Sequence, residues 1–246
     1  MNKPSVILLS LALMLVGCGG GSNNSNTTPP APSPPPPPAE VTFTFELTAR
    51  NVTNAQPFSP LAVILHTAEF SFFSVGESAS QELEMLAESG DNSALLTMAD
   101  AQTTVFSTAS GTGILMPGAS ETVTISATGV APLDLRMTVV SMPVNTNDAF
   151  TGGDGINLNG LESGEGLMFR GVAYDAGTEA HSEAITDIPG PAAGGEGFSA
   201  TRDDRQNVVT LHAGVVTSDD GLSGSVLTNQ HRFLNPLASF SVVRTQ

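Results

Sequence analysis

The chain of 246 residues contains no tryptophan, one tyrosine and one cysteine. A lone thiol excludes any intramolecular disulfide, so the fold must be held by packing, hydrogen bonds and any ion it takes up. Positive charge is scarce as well. Eight Lys and Arg face 24 Asp and Glu, for a net charge of −16. Lys3 is the only lysine, and the arginines are scattered singly. With no basic stripe to neutralise phosphates, nucleic acid is excluded as a partner. An acidic surface favours solubility and cations. Familiar catalytic signatures are also missing. There is no Gly-x-Ser-x-Gly elbow, no His-Glu-x-x-His, no phosphate-cradling glycine loop, and no cysteine placed to work with a histidine. The reading is therefore of a binding protein rather than an enzyme.

What is present begins with an export segment over residues 1–17. Lys3 supplies its positive start, and residues 6–16 form an apolar run broken only by Ser10. At ~1.5 Å per residue such a run cannot cross a ~30 Å hydrocarbon layer as a helix. Leu15-Val16-Gly17-Cys18 resembles the lipobox of bacterial lipoproteins, which implies cleavage before Cys18 and its lipidation. Loss of Lys3 then leaves the mature chain at −17. Several acyl chains on one residue give a stable anchor, since each buried CH₂ adds ~0.8 kcal/mol. No aspartate follows Cys18, and by resemblance to enterobacterial sorting this implies the outer membrane of the cell envelope. Residues 18–40 form a tether, rich first in Gly and Asn and then in proline, including Pro34 to Pro38. It lacks apolar surface to bury and is expected to act as an extended, semi-rigid spacer.

From residue 41 the pattern changes to strands. Phe43, Phe45 and Leu47 alternate with Thr42, Thr44, Glu46 and Thr48, the period of a half-buried strand. Residues 61–65 suit a buried strand. Further strands are expected at 103–108, 121–127, 133–141, 166–173, 208–216 and 238–244. Turns are expected at Pro117-Gly118, Asp154-Gly155 and Asp220-Gly221. One helix is expected near 79–89, with Ser78 as its cap, an apolar face of Ala79, Leu83, Leu86 and Ala87, and Gly90 as its stop. The expected architecture is all-β: an antiparallel β-sandwich of about eight strands with one short helix, spanning 41–246.

Two acidic loops follow expected strand ends. Asn145-Thr146-Asn147-Asp148 is one, and the stretch from Asp175 to Glu179 is the other. Calcium takes six to eight oxygens from carboxylates, amides and carbonyls. Asp148, Asp175 and Glu179 supply such charge, with Asn145 or Asn147 and loop carbonyls in support; solvated turns explain the same spacing. His66, His212 and His231 offer a copper- or zinc-handling alternative. The pairs Asp203-Asp204 and Asp219-Asp220 offer an enzymatic one, acting on envelope glycans or lipids. Both pairs sit beside turn signals, where solvated acids are the plainer reading.

The segment from Asn51 to Pro60, His66, Val75-Gly76, Ala79-Ser80 and the segment from Leu86 to Asp91 resemble the spondin N-terminal domain as it occurs in bacteria. So do Ser141-Met142, Asn147-Asp148-Ala149-Phe150, Asp175-Ala176-Gly177-Thr178-Glu179, His212-x-Gly214 and Asn235-Pro236, in that order. The resemblance implies a membrane-binding-type calcium sandwich in extracellular recognition, with Asp148, Asp175 and Glu179 matching the family's three acids. The chain departs from the family in lacking its cysteines and a tryptophan after the first acidic loop, and in having Glu179 where the family has aspartate. A calcium-organised, adhesion-type module with a protein or glycan partner is the resulting expectation.

Overall fold

The computed structural model describes residues 35–200 and 206–246. Cys18, the export segment, most of the tether and the pair Asp203-Asp204 lie outside the described residues. Nine strands join one continuous sheet in which every pairing is antiparallel. In chain order they are β1 (Glu40–Asn51), β2 (Ala62–His66), β3 (Val105–Ser110), β4 (Ser120–Val130), β5 (Arg136–Ser141), β6 (Ala149–Asn157), β7 (Gly166–Asp175), β8 (Thr210–Leu211) and β9 (Ala238–Arg244). Spatially they run β3-β2-β5-β6-β7-β9-β1-β4, with β8 added beside β7. Ser107 in β3 donates to the Ser126 carbonyl in β4, drawing the two ends of the path together. The result is a nearly closed sandwich, as the strand periodicity implies.

β1 shows why the sequence folds this way. Phe45, Leu47 and Ala49 point inward and are fully buried, while Glu46 and Arg50 are exposed. Their alternation fixes the register, because a one-residue slip would turn all three apolar side chains to water. They pack on Val63, Leu65, Met137, Val139, Phe240 and Val242 to form the interior. β2 is buried on both faces: Val63 and Leu65 face this interior, and Ala62 and Ile64 face the helices outside it.

Two helices cover that outer face, where the sequence predicts one. α1 (Gln81–Ser89) is capped by Ser80, whose hydroxyl accepts the Leu83 amide at 3.3 Å, two residues later than the expected Ser78. Gly90 ends it in the left-handed conformation, as its position predicts. Leu83, Leu86 and Ala87 face Phe150 and Ile64. α2 (Ser93–Asp100) starts after Asn92, whose side chain donates to the Pro60 and Leu61 carbonyls instead of capping, and no glycine ends it. No helix among the described residues is long and apolar enough to cross a membrane.

β6 is the other departure. Asp154-Gly155, expected as a turn, lies inside this strand. Gly152 there has φ +152°, and a Cβ would stand 1.9 Å from the Val139 carbonyl, so the close approach of β5 requires glycine. Conversely, the strand expected over 208–216 shrinks to two residues, because most of the described chain between β7 and β9 runs as loops over a small core of Ile188, Val215 and Leu227.

Candidate metal centre

Two loops meet at one end of the sheet. Along β1, β9 and β7 the register aligns Asn51, Ala238 and Gly171. Asp175 lies four residues further in the same direction, and Glu40 lies at the opposite end of β1. Eleven residues of strand at ~3.3 Å each put about 36 Å between the ends of β1.

The first loop leaves β5 at Ser141 and enters β6 at Ala149, and every residue between is buried. A buried loop must find partners for its amides and carbonyls. Gln56 provides two, accepting from the Asn145 amide and donating to its carbonyl, each at 3.1 Å. The Asn145 side chain donates to the Ala55 carbonyl and accepts the Ala192 amide. The Asn147 side chain accepts the Glu183 amide and contacts the Ser182 hydroxyl. Both asparagines thus hold the loop in place, instead of the ion-supporting role their spacing suggests. What they position is Asp148, which is fully buried.

The second loop wraps around Asp148. Asp175 Oδ1 accepts the Gly177 amide at 2.7 Å, closing a tight turn. Gly177 has φ +72°, and a Cβ there would lie 2.6 Å from the Val208 carbonyl, so only glycine fits. The turn aims the Thr178 and Glu179 amides at Asp148 Oδ2, at 2.8 and 3.1 Å. Each carboxylate therefore gives one oxygen to the backbone and turns the other toward a cation. Asp148 Oδ1 is buried and has no hydrogen-bond partner.

Facing those oxygens is His181, which the sequence offers only as one of four scattered histidines and does not join to the acidic loops. Its Nε2 lies 3.0 Å from Asp175 Oδ2 and 3.5 Å from Asp148 Oδ1. Hydrogen bonding to Asp148 and then Asp175 drives the His181 pKa up to about 10, so the ring carries a proton at neutral pH. Burial pushes the Asp175 carboxyl up, but the hydrogen bond and charge of His181 and the Gly177 amide outweigh it and leave it below the usual range. His181 stacks on His212, with centroids 4.8 Å apart and rings 18° from parallel. Burial, followed by the charge of His181, lowers His212 to about 4. His212 Nδ1 accepts the Gly214 amide, which explains the His-x-Gly spacing. Glu183 is also buried here; desolvation raises its pKa, and its Oε2 has no partner.

Asp148, Asp175 and His181 each offer a ligand atom within 4.8 Å of the other two, the one such group of three or more among the described residues. Glu179 lies outside that trio but lines the same cleft, a space of about 240 Å³ bordered also by Gly177, Gln206 and Thr210. These donors suit a divalent cation. Two carboxylate oxygens converge on the His181 ring, one of them is buried, and backbone amides hold both carboxylates in place.

The other sequence candidates stand apart. His66 bonds the Thr67 carbonyl and the Thr138 hydroxyl through its two ring nitrogens. His231 Nδ1 accepts the Thr228 amide within its own turn. The structure does not gather His66, His212 and His231. Asp220 pairs with Arg232 at 2.7 Å and accepts from Thr217, while Asp219 accepts the Asn229 amide.

A protein-family model, Spondin_N, matches residues 42–186. That match includes both acidic loops and His181. No curated protein matches the chain significantly.

Proposed function

The chain belongs to the spondin N-terminal family, a non-enzymatic, extracellular adhesion-type domain family, and on that premise we propose that it is a cell-envelope lipoprotein presenting a cation-organised recognition module. Cys18 carries the lipid, residues 18–40 span the gap, and the acidic loops face away from the membrane. The outer membrane is the proposed site of anchorage, and the proposed partner is an envelope or extracellular protein or glycan. The register supports the orientation, since the tether enters at Glu40 and Asp175 lies beyond the opposite end of β1.

The observation that carries the cation reading is the convergence of Asp148 and Asp175 on a shared space, with Asp148 Oδ1 buried and approached only by the His181 ring at 3.5 Å. Calcium is the proposed ion on the strength of these oxygens, with loop carbonyls, water and Glu179 available to complete its shell. In its absence the His181 imidazolium balances the two carboxylates.

Thermal melting of the full chain after chelation, followed by readdition of calcium, tests the proposal. An ion at 100 times its Kd adds ~2.7 kcal/mol, a rise of about 5–10 °C for a domain of this size. An unchanged melting temperature together with no heat of binding would leave the Asp148–His181–Asp175 trio as a purely structural clasp.

A further inference from the structure

We infer that His181 is itself a metal ligand, its Nε2 giving up its proton to solvent as the ion binds, so that the site selects a borderline ion, zinc foremost, over calcium. This rests on the cation site proposed above and names the class of ion it takes. His181 lies two residues beyond Glu179, inside the span the family model matches, and adds a nitrogen donor to the two carboxylates. Its Nε2 is 3.0 Å from Asp175 Oδ2 and 3.5 Å from Asp148 Oδ1. Ligands at 2.0–2.1 Å from a tetrahedral ion stand about 3.3 Å apart, so these edges already match such a site. Distance alone admits calcium equally, but donor type ranks zinc above it. Calcium takes oxygen, whereas imidazole nitrogen suits zinc and its neighbours.

The surroundings are those of a built centre. Amides of Gly177, Thr178 and Glu179 bind the outer oxygens of the two carboxylates and orient the inner ones. Stacking on His212 fixes the plane of the His181 ring. Outer contacts of this kind are what keep ligands in place around a metal. Three protein ligands leave a coordination position open toward the cleft, where water or a partner's carboxylate completes the shell.

Titration calorimetry of the chelated full chain with zinc and with calcium is the test, on the wild type, His181→Gln and Asp148→Asn. The expected result is one zinc per chain, held roughly 100-fold more tightly than calcium, with His181→Gln losing most of the zinc affinity and none of the calcium response. Asp148→Asn weakens both ions. A cobalt-loaded wild-type sample should also show a shifted, exchangeable imidazole N–H proton resonance, a readout that survives even where His181→Gln fails to fold. Zinc binding no tighter than calcium, equal zinc affinity in wild type and folded His181→Gln, or no imidazole resonance overturns the inference and leaves an oxygen-only calcium site. Silence toward both ions overturns the inference and the cation reading together.

Discussion

Gly177 shows how much of the centre rests on one residue without a side chain. Its positive φ lets the loop double back, and its missing Cβ lets the Val208 carbonyl approach. Only then do the two following amides reach Asp148. Gly177→Ala combines left-handed strain with a backbone clash, so a loss of about 2–4 kcal/mol is expected. Urea unfolding measures it, and a midpoint equal to wild type would show that the turn is not so constrained. Asp148 and Asp175 were legible beforehand because each lies in an acidic stretch at the border of an apolar strand pattern, Asp148 just before β6 and Asp175 at the end of β7. His181 was not. It sits in an irregular stretch with no periodicity, and it matters only because the Asp175 turn carries the chain back over Asp148.

Helix α1 brings a second acid toward the centre. Glu88 is buried, accepts the Ser199 amide, and has its pKa raised by desolvation to about 7. Its ordinary value is 4.5, so the folded state favours the protonated acid. Stability is full below pH 4.5 and falls as pH rises through 7, by up to about 3 kcal/mol. Glu88→Gln removes that penalty while keeping a hydrogen-bond acceptor. Its melting temperature should exceed wild type at pH 8 and converge with it near pH 4.5; calorimetry across that range decides, and a pH-independent difference counts against desolvation as the cause. At this scale the sequence spoke unevenly. β1 and β4 alternate cleanly because one face is wet, and α1 has both a cap and a stop. β6 hid behind Gly152-Gly153 and Asp154-Gly155, which look like a turn. Gly152 serves instead the close contact with β5, Gly153 makes room for the Phe169 ring of β7, and Asp154 accepts from Ser71, Phe72 and Thr138 in neighbouring segments.

For the molecule as a whole, the tether and the loop end take opposite positions along β1. If Cys18 carries the proposed lipid, Cys18→Ser should move the chain from the detergent phase to the aqueous phase on Triton X-114 partitioning. Its melting behaviour should not change, since the substitution lies far in sequence from the fold. Partitioning identical to wild type would reject the anchor. The sheet order adds a mechanical consequence. A partner tugging on the Asp175 loops pulls β7 one way while the tether pulls β1 the other, with β9 bonded between them. Antiparallel hydrogen bonds lie across the strands. The load therefore falls on all of them at once as shear rather than unzipping them in turn, and a domain strung this way resists being torn open by the grip it makes.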